Sequence, residues 1–114
     1  MKLRQIASLL SADVLCGEQQ LDEEAYSACG SDMMSDVLAY VKDQAVLITG
    51  LVNPQVVRTA MMMDMRCVVF VRGKRPTQDM VELANENHIA VLVSGYRMYE
   101  ACGRLYAGGL GSEA

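Results

Sequence analysis

Aromatic residues make up only 5% of this 114-residue chain, and tryptophan is absent. Little is therefore available for platforms on which nucleic-acid bases stack. A basic excess is missing too: the formal net charge is −4, whereas nonspecific nucleic-acid binding needs a cationic surface. No nucleic-acid partner is expected. There is one histidine, His88, and no CxxC pair. Cys16, Cys29, Cys67 and Cys102 are spaced widely and irregularly, which does not read as a zinc site. Each lies in an apolar stretch, where a reduced thiol packs as a small hydrophobe. That predicts a reducing compartment, the cytoplasm. No apolar run reaches the roughly 20 residues of a membrane span. The first residues, MKLRQIASLLSADVLCG, place two basic residues before a mildly apolar stretch, but Gln5, Ser8, Ser11 and Asp13 interrupt it. Neither a membrane segment nor a signal peptide is expected. No GxxxxGK[ST] motif occurs, so a P-loop is excluded. No metal and no cofactor is expected.

What is present is a chain that is 52% apolar and 21% charged. Its length predicts one domain able to bury roughly two-thirds of its unfolded surface. Residues 2–10 set Leu3, Ile6, Ala7 and Leu10 at helical spacing. A short strand is predicted at Val14–Cys16, ended by Gly17, and another at Tyr26–Cys29, ended by Gly30. Ser31 or Asp32 can cap a following helix with Met33, Met34, Val37, Leu38 and Val41 on one face.

The second half is more regular. The stretches VLITGLVNPQ (46–55), VFVRGKRPTQ (69–78) and VLVSGYRMYE (91–100) each run from apolar residues through a glycine into a helix start. Asn53 with Pro54, and Thr77, fit helix N-termini. Val56, Val57, Ala60 and Met61 should form one buried face, and Met80, Val81 and Ala84 carry the next apolar stripe. Gly50 to Gly73 is 23 residues and Gly73 to Gly95 is 22, the length of a strand, a turn and a helix. Strands apolar nearly throughout belong to a parallel sheet covered on both faces, with right-handed crossovers. The predicted fold is α/β: a three-layer α/β/α single domain with a mainly parallel central sheet. The three glycines then mark the carboxyl ends of neighbouring parallel strands, where sharp reversal favours glycine. Ligands of open α/β sheets bind at that edge, beside helix N-termini. Two readings stand there: plain connections, or a ligand groove.

Arg72, Lys74 and Arg75 form the basic cluster, on the middle turn. It can hold a phosphate or carboxylate, or simply keep the sheet end solvated. Asp32 and Asp36 share a helix face and could bind Mg²⁺ or act as acid and base, although Asp32 at a helix start fits a cap. His88 reads as a helix C-terminal residue. No Ser/His/Asp or Cys/His grouping is visible. On the last helix Tyr96, Tyr99, Gly103 and Tyr106 lie near one stripe and Met98, Cys102 and Leu105 on another. Two apolar stripes exceed one core contact, which leaves a dimer contact, ligand-facing tyrosines or half-burial. MMMDM (61–65) is Met-rich and adaptable, and is read as core plus a helix end.

SDMMSDVLA (31–39), ITGLVNPQVVRTA (48–60), VFVRGKRP (69–76) and SGYRMYEACGRL (94–105) together resemble the DRTGG domain family, which is similar in fold to the N-terminal domain of HPr kinase/phosphorylase. The resemblance spans about residues 1–107 and leaves 108–114 as a flexible tail. It implies an α/β/α regulatory domain, often dimeric, without catalytic machinery. Such domains accompany CBS domains in regulated pyrophosphatases, in some cases near adenine nucleotides, and occur beside phosphotransacetylase domains. Stand-alone versions are associated with iron-only hydrogenase and redox genes. The family's Gly-Asp-Arg turn is matched here by Gly50-Leu51-Val52, which loses both charges. Its Thr-Gly-Gly is matched by Arg72-Gly73-Lys74, which keeps one glycine and adds charge.

The expectation is a non-enzymatic, homodimeric ligand-sensing domain that takes a small anion such as an adenine nucleotide at the strand ends. Its ligand residues would be Gly50, Leu51, Asn53, Arg72, Gly73, Lys74, Arg75, Thr77, Ser94, Gly95 and Tyr96, with Tyr99, Cys102 and Tyr106 at an interface. The alternatives are an adaptor docking on a hydrogenase or redox complex, and a small metal-dependent enzyme using Asp32 and Asp36.

Overall fold

The computed structural model describes residues 1–40 and 45–111. Val41, expected on a helix face, and residues 112–114 of the expected tail lie outside the described residues. The elements run α1 (Leu3–Leu9), β1 (Asp13–Cys16), a 3₁₀ turn (Glu18–Gln20), β2 (Ser27–Gly30), α2 (Met34–Tyr40), β3 (Ala45–Thr49), α3 (Pro54–Met62), β4 (Cys67–Phe70), α4 (Gln78–Glu86), β5 (Ala90–Val93) and α5 (Met98–Ala107).

The sheet order is β1-β5-β4-β3-β2. β2 through β5 are parallel neighbours, and β1 is antiparallel to β5. The carboxyl ends of β3, β4 and β5 therefore lie side by side, as the glycine spacing predicts. The end of β2 extends that edge, and the start of β1 reaches it from the other side through the Asp13–Val93 pairing.

β3, β4 and β5 are buried at every position, because both faces are covered. Leu47, Val68, Phe70, Val91 and Val93 pack with Val37 of α2, Val56, Val57 and Ala60 of α3, and Met80 and Ala84 of α4. Val46, Ile48, Val69, Ala90 and Leu92 point the other way, against Leu3 and Ile6 of α1 and Ala101 and Leu105 of α5. Alternate side chains reach opposite layers, since a strand projects them to opposite faces. Leu110, in the expected tail, is buried with this second group.

The helix starts follow local chemistry. Asn53 Oδ1 accepts from the Gln55 N–H at 2.8 Å ahead of Pro54, and Thr77 Oγ1 accepts from the Met80 N–H at 3.3 Å. Each satisfies a donor that the helix cannot.

One expected buried residue is corrected: Met61 is exposed. On the apolar face of α2 and the residue before it, Met34 and Val37 are buried while Met33 and Leu38 are exposed. Helical periodicity names a face, but α2 lies at the margin of its layer and leaves the flanks of that face uncovered. Met61 stands one position beyond the buried stripe of α3, where Thr59 is buried instead. In the methionine run only Met65 is fully buried, and Met62 is exposed.

Candidate functional site

The turns after β3, β4 and β5 are bound to one another by backbone hydrogen bonds. The Val71 N–H donates to Thr49 O at 2.9 Å, the Ser94 N–H to Phe70 O at 2.9 Å, the Arg72 N–H to Tyr96 O at 2.8 Å and the Gly73 N–H to Ser94 O at 2.9 Å. This continues the sheet ladder past the strand ends and fixes the turns relative to each other. Arg72 and Gly73 both adopt left-handed backbone, with φ of 60° and 65°. Glycine accepts that conformation without strain, whereas arginine rarely does.

Of the three marker glycines, only Gly73 turns at positive φ, so the expectation of sharp reversal is corrected at the other two. Gly50 meets a different constraint. A β-carbon there would lie 2.5 Å from Arg72 Nη2 and 3.2 Å from its Cζ. The Arg72 guanidinium thus lies against the bare Gly50 backbone and brings a positive charge from the turn after β4 beside the β3 turn. Gly95 has open space beyond its Cα.

Asp32 joins the same edge from the start of α2. Its Oδ1 accepts from the Gly50 N–H at 2.7 Å and from Thr49 Oγ1 at 3.0 Å. The Leu51 N–H in turn donates to Thr49 Oγ1 at 3.1 Å. Sequence reasoning weighed Asp32 as a cap or a metal ligand; it pins the β3 turn across the sheet edge. Among the described residues no group of three His, Cys, Asp or Glu could hold a metal ion.

Ser94 is fully buried. Its hydroxyl donates to Leu10 O at 2.8 Å and accepts from the Tyr96 N–H at 3.2 Å, so it fastens the β5 turn to the end of α1. Leu51 is half-buried and packs on the core side of its turn. Tyr96 precedes α5, which starts at Met98, and so does not share the stripe of Tyr99 and Tyr106. It is half-buried, with the Arg104 guanidinium 4.2 Å from its ring centroid.

What faces outward at this edge is cationic. Arg72, Lys74 and Arg75 are exposed, as are Asn53, Gly73, Thr77 and Gly95. Arg75 makes a long ion pair of 3.8 Å with Asp13, both partners being largely solvated, a contact of little energy. The turn N–H groups of Gly50, Leu51, Arg72, Gly73, Lys74 and Tyr96 all have partners within the protein. An anion here would meet side-chain cations and the capped starts of α3 and α4 rather than a cradle of turn amides. Asp13, Asp32 and Thr49 went unrecognised as members of this edge, because their partners lie in other elements.

Away from the turns, Tyr99 and Tyr106 are exposed on α5. Cys102 is half-buried, at 2.7 Å from where a Gly30 β-carbon would stand. Burial pushes the Cys102, Cys16 and Cys67 thiols above the usual range, most strongly for the fully enclosed Cys67. No described helix is long and apolar enough to cross a membrane.

A three-layer α/β domain, with a mainly parallel sheet whose strand-end edge carries joined turns and exposed cations, is the class of molecule these features define. The family model of the DRTGG domain matches residues 5–107, and the chain belongs to the DRTGG domain family. Among solved structures it is similar to the CBS and DRTGG domains of the regulatory region of Clostridium perfringens pyrophosphatase, complexed with the activator diadenosine tetraphosphate. The TM-score is 0.76 at 17% identity, covering 91% of this chain and 45% of that one. This chain thus spans less than half the length of that neighbour, and the likeness is one of fold. No curated protein matches significantly.

Proposed function

We propose that this domain is a regulatory, ligand-sensing module without catalysis of its own. It takes a small anionic ligand at the carboxyl ends of β3, β4 and β5 and works as a homodimer. The observation that carries the reading is the convergence of Arg72, Lys74 and Arg75 on turns already fixed to one another, with the Arg72 guanidinium seated on Gly50. Preformed turns reduce the ordering cost of binding, and guanidinium groups suit phosphate oxygens. Lys74 and Arg75 contact the anion, Asn53 and Thr77 order the helix starts beside it, and Ser94 and Asp32 act by holding the turns. The neighbouring regulatory region is complexed with a diadenosine polyphosphate. An adenine nucleotide with a phosphate chain is the ligand class proposed for this edge.

The test is thermal denaturation of the purified protein with adenine nucleotides, dinucleoside polyphosphates, phosphate and sulfate. A ligand at 100 times its Kd stabilises by about 2.7 kcal/mol, a shift of several degrees for a domain of this size. The Lys74→Ala/Arg75→Ala double variant should lose that shift while keeping its unliganded Tm. An unchanged affinity in the double variant refutes the assignment. A second reading, an adaptor docking on a hydrogenase or redox complex, draws on the exposed Tyr99 and Tyr106 of α5. It is favoured if every ligand is silent and the purified redox complex binds the domain.

A further inference from the structure

Gly103 sits in the middle of α5, where glycine costs a helix roughly 1 kcal/mol relative to alanine. Nothing in the fold of the chain asks for it: its φ is not positive, and a β-carbon there would meet no atom within 4 Å. The neighbours on the helix surface are equally unexplained. Tyr99 is 92% exposed and Tyr106 72% exposed. A groove of about 720 Å³, open to solvent, runs along this face between Met98, Tyr99, Cys102, Gly103, Tyr106 and Ala107.

The arrangement has a symmetry. At about 100° per residue, Gly103 lies opposite the buried Ala101 and Leu105. Tyr99 and Tyr106 fall on one flank of Gly103, the first a turn before it and the second a turn after. Glu100, Arg104 and Ala107 fall on the other flank. A two-fold axis perpendicular to α5 at Gly103 brings up a second α5 running the opposite way. It sets each flank against its own copy with its order reversed. Tyr99 then meets the partner's Tyr106, and Glu100 meets the partner's Arg104. A parallel arrangement would instead set tyrosines against the charged flank. Only the antiparallel one is complementary in both apolar surface and charge, as an isologous contact requires.

We infer that α5 is the surface by which two copies of this chain associate, crossing antiparallel at Gly103. This deepens the homodimer part of the proposed function and rests on it, while standing apart from the anion site. Gly103 lets the two helix backbones approach closely. The tyrosine pairs form the apolar part of the contact, rings being well suited to such positions. Within one chain Arg104 pairs with Glu100 at 2.9 Å. Across the two-fold the two pairs merge into a four-charge network, which sets the direction of crossing.

Sedimentation velocity on the full chain tests this with three variants. Gly103→Gln adds a bulky side chain into space that is empty in the single chain, so it folds, and its own helix gains propensity. It should weaken dimerisation by at least about tenfold. Glu100→Arg sets four cations together and should weaken it in the same way. The Glu100→Arg/Arg104→Glu double variant reverses the network without breaking it and should recover most of the lost association. A wild-type protein that stays monomeric at its highest soluble concentration overturns the inference. So does a dimer that Gly103→Gln and Glu100→Arg leave intact, or a double variant no better than Glu100→Arg alone. Thermal shifts with phosphate and adenine nucleotides on the monomeric variant read the strand-end site separately, so either proposal can fail without the other.

Discussion

Replacing Asp32 measures what a single side chain contributes to the edge where β3, β4 and β5 end. Its Oδ1 receives the Gly50 N–H at 2.7 Å and the Thr49 hydroxyl at 3.0 Å, and the first distance is that of a charge-assisted bond. Asp32→Ala removes both bonds and leaves the amide of the buried Gly50 without its partner. An orphaned buried donor costs about 1–3 kcal/mol, and a hydrogen bond to a charged group contributes about 1.5–3 kcal/mol. Because Asp32 itself is exposed, water can take over part of its role. The expected loss is about 2 kcal/mol, or a Tm lower by roughly 8 °C for a domain of this length. Asp32→Asn keeps an acceptor at Oδ1 and gives up only the charge, so about half that loss is expected. Urea unfolding gives the free energies, and hydrogen exchange at the Gly50 amide shows whether the loss is local. If Asp32→Ala unfolds within about 0.5 kcal/mol of the wild type and the Gly50 amide stays protected, the bond from α2 to the β3 turn does not hold this edge, and the reasoning is wrong.

Two further outcomes follow from the same geometry. Gly50→Ala should displace the Arg72 guanidinium, the far end of a flexible side chain. Stability should then change by less than about 1 kcal/mol, while affinity for a phosphate-bearing ligand falls by about tenfold; equal affinity in calorimetry would remove Arg72 from the site. The Cys67 thiol is raised by burial, so above the ordinary thiol value near 8.5 the unfolded chain releases that proton while the folded one keeps it. Stability must therefore fall with rising pH there, by up to about 1.4 kcal/mol per pH unit from this group. Cys67→Ala should show a shallower alkaline decline in urea titrations between pH 8 and 10, and an identical slope would contradict the burial argument.

Much of the fold could be read from residues acting on their near neighbours. Asn53, Pro54 and Thr77 cap helices two or three positions away, and the runs in β3, β4 and β5 are apolar because both sheet faces are covered. What stayed hidden depends on partners distant in sequence. Gly50 faces an arginine on the turn after the next strand, and Asp32 is bound to Thr49 and Gly50 at the end of β3. The Ser94 hydroxyl reaches Leu10, 84 residues away, and no spacing rule encodes that. That Met33, Leu38 and Met61 are exposed was not legible, because periodicity gives the direction of a helix face without its covered width. At the candidate site the cationic side chains were legible. That the turn amides are already engaged was not, since it depends on how adjacent turns meet.

The sheet order has a consequence for how this protein is made. β2, β3, β4 and β5 can pair in the order in which they are synthesised, each finding its neighbour one helix later. β1 cannot: it precedes all of these strands, and among the described residues its sheet partner is β5. Until β5 and Ser94 are available, β1 has no edge to pair with, and the bond from Ser94 to Leu10 cannot form. The pairing of β1 thus has to wait for β5. A nascent chain halted before β5 would expose the open side of β4, where a neighbouring chain's strand could add.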